Sequence, residues 1–154
     1  MKILFVCLGN ICRSPIAEGV MKHSCGLEQL DWEIDSAGTE SYHIGQAPHE
    51  HSQRVCLENG IDISKQRARK FTHADITKFD KIYALASDVY EEIKDISGHY
   101  FNPDKVELFL KELYPDENRS VVDPYYGNLD GYYDVFDEIN EGCKAIIQHY
   151  KMNP

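Results

Sequence analysis

Residues 3–15 constrain this chain more than any other stretch. Ile3-Leu4-Phe5-Val6 sets four branched or aromatic residues in a row, the pattern of a strand buried on both faces of a parallel sheet. Cys7-Leu8-Gly9-Asn10-Ile11-Cys12-Arg13-Ser14 follows, with five residues between Cys7 and Arg13. Pro15 comes next, at a position where a new helix tolerates proline, and Ser14 is placed to cap that helix. The stretch predicts strand, tight loop and helix, with a thiol and a guanidinium around one anion-sized space.

That arrangement has a specific chemistry. The thiolate, not the thiol, is the nucleophile. Inward-pointing loop N–H groups, the positive end of the following helix and the Arg13 charge all favour the anion at Cys7. The same donors, from Leu8 through Ser14, suit a tetrahedral dianion, and Arg13 can grip two oxygens in a fork that lysine cannot copy. Gly9 lets the backbone turn freely, and Asn10 tolerates left-handed geometry and can hold the loop by bonding backbone. The Ser14 hydroxyl can donate to the Cys7 sulfur and ease its departure. The nucleotide-binding G-x-x-x-x-G-K-[ST] pattern is missing.

Length and charge narrow the class further. At 154 residues the length prior is one domain, spanning 1–154, with enough chain to bury a core. A formal net charge of −10 sets the surface against nucleic acid as a general partner. The apolar run at the N-terminus stops at Leu8, too short for a signal peptide, and nothing approaches membrane-spanning length. Cys7, Cys12, Cys25, Cys56 and Cys143 make an odd count with no paired C-x-x-C motifs for zinc. A reducing, cytoplasmic setting with a functional thiol is expected.

Further along, Ile16, Ala17, Val20, Met21 and Cys25 recur at helical spacing, with Gly26 as the expected stop. Trp32-Glu33-Ile34-Asp35 predicts a second strand, ending in Ser36-Ala37-Gly38-Thr39. A loop over 39–48, a helix over 48–58 and a turn at Asn59-Gly60 follow. Lys65, Arg67, Arg69 and Lys70 form the only basic cluster, by default a solvated face that could guide anionic substrates. Thr72-x-x-Asp75 fits a capping box. Lys81 to Ala86 predicts a third strand, Ser87 a cap for a helix carrying Val89, Ile93 and Ile96, and Val106 to Phe109 a fourth short strand. Tyr132, Phe136, Ile139, Cys143, Ile146 and Tyr150 mark the last helix. Strands alternating with helices predict an α/β fold with a parallel sheet and right-handed crossovers.

The motifs V-C-L-G-N-I-C-R-S-P at 6–15, D-S-A-G-T at 35–39 and D-P-Y-Y-G at 123–127 resemble the low-molecular-weight protein tyrosine phosphatase family across nearly the whole chain. The resemblance implies a four-stranded parallel sheet flanked by helices on both faces, a phosphocysteine intermediate and no metal or other cofactor. It assigns Cys7 as nucleophile, Arg13 as the arginine that binds phosphate and stabilises the transition state, and Asp123 as general acid and then base. Pro124 would stiffen the loop that carries the acid. Tyr42 and Tyr125 match aromatic positions on opposite walls of a slot for an aryl ring. Tyr125 and Tyr126 match tandem tyrosines that family members can carry as phosphorylation sites. Cys12 matches a cysteine that can pair reversibly with the nucleophile, and Ser36 a serine that supports the Asn10 loop.

The chain also departs from the family. Ala86 stands where an aspartate is usual, and Lys65 to Lys70 is about one residue longer than in relatives. The implied substrate is a phosphotyrosine-containing protein or a small aryl phosphate, with inorganic phosphate as product. Two rivals share the loop. An arsenate reductase would need resolving cysteines after the third strand, and residues 80–110 contain none. A phosphotyrosine-binding or redox-sensing module would not need the acid at Asp123.

Overall fold

A computed structural model describes residues 1–154. The strand β1 (Lys2–Cys7) is the hub, because its alternating side chains feed two separate cores. Ile3, Phe5 and Cys7 join the core on one face, and Leu4 and Val6 join the core on the other. β2 (Glu33–Gly38) and β3 (Lys81–Ala84) flank β1, and β4 (Val106–Leu108) lies beyond β3. Every pairing is parallel. The helices α1 (Arg13–Leu27), α2 (Glu50–Leu57) and α5 (Leu129–Met152) cover the first face. α3 (Ala74–Lys78) and α4 (Ser87–Ser97) cover the second. The expected four-stranded parallel sheet with helices on both faces is therefore present.

Register decides where chemistry can occur. Cys7 pairs with Gly38, and Val6 with Ala84, so the carboxyl ends of β1, β2 and β3 share one edge. The chain leaves β1 for β2 on one side and later returns to β3 on the other. The crevice above such a switch point is where open α/β sheets place ligands. The core below is densely filled. Phe5 stacks on Tyr83 with centroids 5.7 Å apart, and Phe109 meets Phe5 edge-on at 5.9 Å. A Cβ at Gly142 of α5 would sit 2.3 Å from the Phe109 ring, so only glycine lets that helix approach.

Several local expectations are corrected. α1 begins at Arg13, with Cys12 as its cap residue, so Ser14 lies inside the first turn and Pro15 is the third helical residue. The Ser14 side chain meets Cys7 and the Asn10 side chain instead of a backbone N–H of the helix. Gly26 does not stop α1, which continues to Leu27; the left-handed residue after it is Gln29, at φ 56°. β2 begins after Trp32 and runs on through Ser36-Ala37-Gly38, because those residues pair with Phe5, Val6 and Cys7.

Ser87 is the first residue of α4 and not its cap, which is Ala86. The Ser87 N–H donates to the Ser120 hydroxyl at 2.9 Å, so a distant loop supplies the acceptor. Half of the expected capping box forms: the Asp75 carboxylate accepts from the Thr72 N–H at 3.0 Å. α2 is shorter than expected, and its cap is an imidazole, His49 Nδ1 accepting from the His51 N–H at 3.1 Å.

Candidate active site

The loop from Cys7 to Arg13 is held by its carbonyls. The N–H groups of Thr39, Glu40 and His49 donate to the carbonyls of Cys7, Leu8 and Ile11 at 3.0, 2.9 and 2.8 Å. With the carbonyls turned outward, the N–H groups of Leu8 to Cys12 donate to no protein backbone atom and are free to hold an anion. Asn10 makes the turn at φ 57°, the left-handed region that few side chains favour. Gly38 makes the close approach possible, since a Cβ there would lie 2.7 Å from the Leu8 carbonyl oxygen. That contact explains the glycine of the D-S-A-G-T motif.

Side chains complete the arrangement. Cys7 Sγ lies 3.0 Å from Ser14 Oγ. Asn10 Nδ2 donates to Ser14 Oγ at 2.7 Å and to Ser36 Oγ at 3.0 Å, and Asn10 Oδ1 accepts from the Arg69 N–H at 3.0 Å. Arg13 is buried, and its Nη1 donates to the Val121 carbonyl at 2.9 Å. Its Nη2 lies 3.6 Å from Asp123 Oδ2. The other carboxylate oxygen of Asp123 accepts from the Tyr125 N–H at 3.0 Å. A cleft of about 110 Å³ opens between these groups, lined by Cys7, Leu8, Gly9, Ile11, Cys12 and Arg13 below and by Tyr42, His43, Asp123, Tyr125 and Tyr126 above.

Cys7, Leu8, Gly9, Ile11, Cys12, Arg13, Tyr42, Asp123, Tyr125 and Tyr126 line this one cleft, and Ser14, Asn10 and Ser36 sit behind the thiol. Tyr42 and Tyr125 stand at its rim, Tyr42 largely exposed and Tyr125 less so. Ala86 is buried in the core under α4. Arg69 leaves the basic cluster, because Asp35 and Asp75 neutralise it at 3.0 and 3.1 Å. Its backbone N–H meets Asn10, so its ion pairs anchor that segment.

Other contributors were not singled out from the sequence. His43 packs over the loop, with a Cβ at Gly9 falling 3.0 Å from its ring. His49 stacks on Tyr132 at 5.1 Å. Burial, and then His51, hold the His49 imidazole below its usual range. Glu18 accepts from the Ser36 hydroxyl at 2.7 Å. Only the Glu18 position carried a signal, because Asn10, Ser14 and Glu18 recur at four-residue steps.

Burial pushes Cys12 up to about 12, against a hydrogen bond from Tyr132 that works the other way. Burial raises Cys25, Cys56 and Cys143 as well. All five cysteines are free. No helix is long and apolar enough to cross a membrane.

A parallel α/β sheet with a Cys-x5-Arg loop at its switch point, faced by an aspartate, defines a phosphatase-type site. The chain belongs to the low molecular weight phosphotyrosine protein phosphatase family, whose match spans residues 2–153. It is 39% identical over 151 residues to the low molecular weight phosphotyrosine protein phosphatase of Schizosaccharomyces pombe, covering 96% of each chain. Its fold is similar to a crystal structure of a protein tyrosine phosphatase from Entamoeba histolytica, with a TM-score of 0.90, 35% identity, and 99% and 98% of the two chains covered. A drosophila arginine phosphatase is similar at a TM-score of 0.89 and 31% identity, with 98% of each chain covered.

Proposed function

We propose that residues 1–154 form one phosphatase domain that hydrolyses phosphotyrosine in proteins, or small aryl phosphates, through a phosphocysteine intermediate. The observation that carries this reading is the facing pair Arg13 and Asp123 over a cysteine whose sulfur lies 3.0 Å from a serine hydroxyl. The loop N–H groups of Leu8 to Cys12 and the Arg13 guanidinium bind the phosphate oxygens. The Cys7 thiolate attacks phosphorus, the bond from phosphorus to the aryl oxygen breaks, and Asp123 delivers a proton to that oxygen. Water then attacks the phosphocysteine while Asp123 takes its proton. The phosphorus–sulfur bond breaks, Ser14 donates to the departing Cys7 sulfur, and inorganic phosphate leaves.

Tyr42, Tyr125 and the apolar side chains of Leu8 and Ile11 give the cleft walls suited to an aromatic leaving group. The free thiols suit a reducing compartment, and a cytoplasmic location belongs to the same proposal.

The test is hydrolysis of p-nitrophenyl phosphate and a phosphotyrosine peptide, with phosphoarginine as the comparison substrate. Cys7→Ser is expected to abolish turnover, and wild-type rates in that variant would overturn the mechanism. Asp123→Ala is expected to slow phenyl phosphate by about 10²–10⁴-fold but a dinitrophenyl phosphate far less, since a better leaving group needs no proton. Equal losses would remove Asp123 from the acid role. Faster turnover of phosphoarginine than of phosphotyrosine would overturn the substrate assignment.

A further inference from the structure

A buried polar chain runs from the outer side of α1 to the nucleophile. Asn10, Ser14 and Glu18, spaced four residues apart, stack along one face of the turn entering α1, and Ser36 of β2 bridges them. All four residues are at most 5% exposed. Glu18 Oε1 accepts from Ser36 Oγ at 2.7 Å. Ser36 Oγ accepts from Asn10 Nδ2 at 3.0 Å, and the same nitrogen donates to Ser14 Oγ at 2.7 Å. Ser14 Oγ then reaches Cys7 Sγ at 3.0 Å.

The direction of each bond is fixed from the two ends. The Arg69 N–H can only donate, and it takes Asn10 Oδ1 at 3.0 Å, which turns the amide nitrogen toward both serines. At the far end the Glu18 carboxylate, paired with Lys22 Nζ at 2.6 Å, takes the Ser36 hydrogen. Both serine oxygens therefore receive from Asn10. The Ser14 hydrogen is left for the Cys7 sulfur at 3.0 Å or the Ala37 carbonyl at 3.4 Å, and an anionic sulfur is the stronger acceptor. The chain also holds Asn10 in its left-handed backbone conformation, which its side-chain bonds must sustain.

We propose that Glu18 is a positioning residue: by accepting from Ser36 it fixes the Asn10 amide and so aims the Ser14 hydroxyl at Cys7. The proposal rests on the reading of Cys7 as nucleophile. Around Glu18 stand Lys22, His23, Asp62 and Lys65, and around Cys7 stand Arg13, Cys12 and Asp123.

The test is the rate of Cys7 alkylation by iodoacetate as a function of pH, with the modified peptide identified by mass. Glu18→Ala is expected to slow the reaction about tenfold at pH 6 and to converge with wild type at high pH, where the thiolate forms unaided. Glu18→Gln keeps an oxygen for Ser36 and is expected to react like wild type. Ser36→Ala is expected to slow it as Glu18→Ala does, with no further loss in the double variant. A folded Glu18→Ala protein that reacts like wild type overturns the proposal, as do additive losses in the double variant. Should Glu18→Ala fail to fold, Ser36→Ala reacting like wild type overturns it equally. Full turnover by Cys7→Ser would instead sink the nucleophile reading, so the two failures are distinct.

Discussion

Arg13 and Asp123 face each other across the cleft, Nη2 lying 3.6 Å from Oδ2, while Nη1 of the same guanidinium donates to the Val121 carbonyl at 2.9 Å. The residue proposed to hold phosphate therefore also holds the loop that carries the proposed acid, Asp123. Arg13→Lys keeps the charge but loses the fork that spans both contacts. Its kcat on aryl phosphates is expected to fall about 10²–10³-fold, the scale of losing one aimed donor at a developing charge. Steady-state kinetics check this, and a change confined to KM would contradict it.

The acid loop has a second anchor at Ser120, whose hydroxyl receives the Ser87 N–H at 2.9 Å where Ala86 offers no capping side chain. Removing that acceptor in Ser120→Ala should cost about 0.5–2 kcal/mol, as loss of a helix cap does. The same variant is expected to lower kcat, because Val121 and Asp123 follow directly. Chemical denaturation and aryl phosphate kinetics measure the two effects. A stability loss with unchanged kcat would uncouple the cap from the loop.

Gly38 is required by space, since its Cβ would fall 2.7 Å from the Leu8 oxygen and 3.0 Å from the Asn10 nitrogen. Gly38→Ala must push the phosphate loop away from β2. Overpacking of this kind costs about 1–3 kcal/mol. Activity is expected to fall more steeply than stability, because the displaced atoms belong to the proposed anion site. Vanadate inhibition, compared between the two proteins, reports on the loop itself.

Glu112 carries a half-buried carboxyl that receives the Tyr83 hydroxyl at 3.2 Å. Burial, and then the Glu107 charge, raise its pKa above the usual carboxylate range. The folded state thus binds this proton more readily than the unfolded chain. The favourable contribution is complete below about pH 4.5 and is lost as pH rises through the folded-state value. Glu112→Gln keeps an oxygen for Tyr83 and carries no charge. Its melting temperature is expected to exceed that of wild type at pH 7, with the gap closing near pH 4. An unchanged gap across that range would contradict the assignment.

Much of the fold was legible because its signals are local. The run Ile3 to Val6 marked the central strand, and the apolar spacing from Tyr132 to Tyr150 marked α5. Boundaries were harder wherever a side chain had a better use elsewhere. Ser14 has the chemistry of a cap but spends its hydroxyl beside Cys7, and Ser87 has the same chemistry but is capped by Ser120. Arg69 looked like one more surface charge, and only its two aspartate partners, 34 and 6 residues away, make it an anchor.

By itself the sequence determined the α/β order of elements, the Cys-x5-Arg loop and the candidate acid, since each is written in a contiguous run or motif. Only the tertiary structure decided how the loop is held. Parallel pairing sets Gly38 beside Cys7, closes Asn10 onto Ser36 and Arg69, and lays the Val121 carbonyl against Arg13. Those partners lie 26 to 108 residues apart in the chain. Their hydrogen bonds exist only once burial of the two cores has fixed the strand register, so no local pattern could announce them.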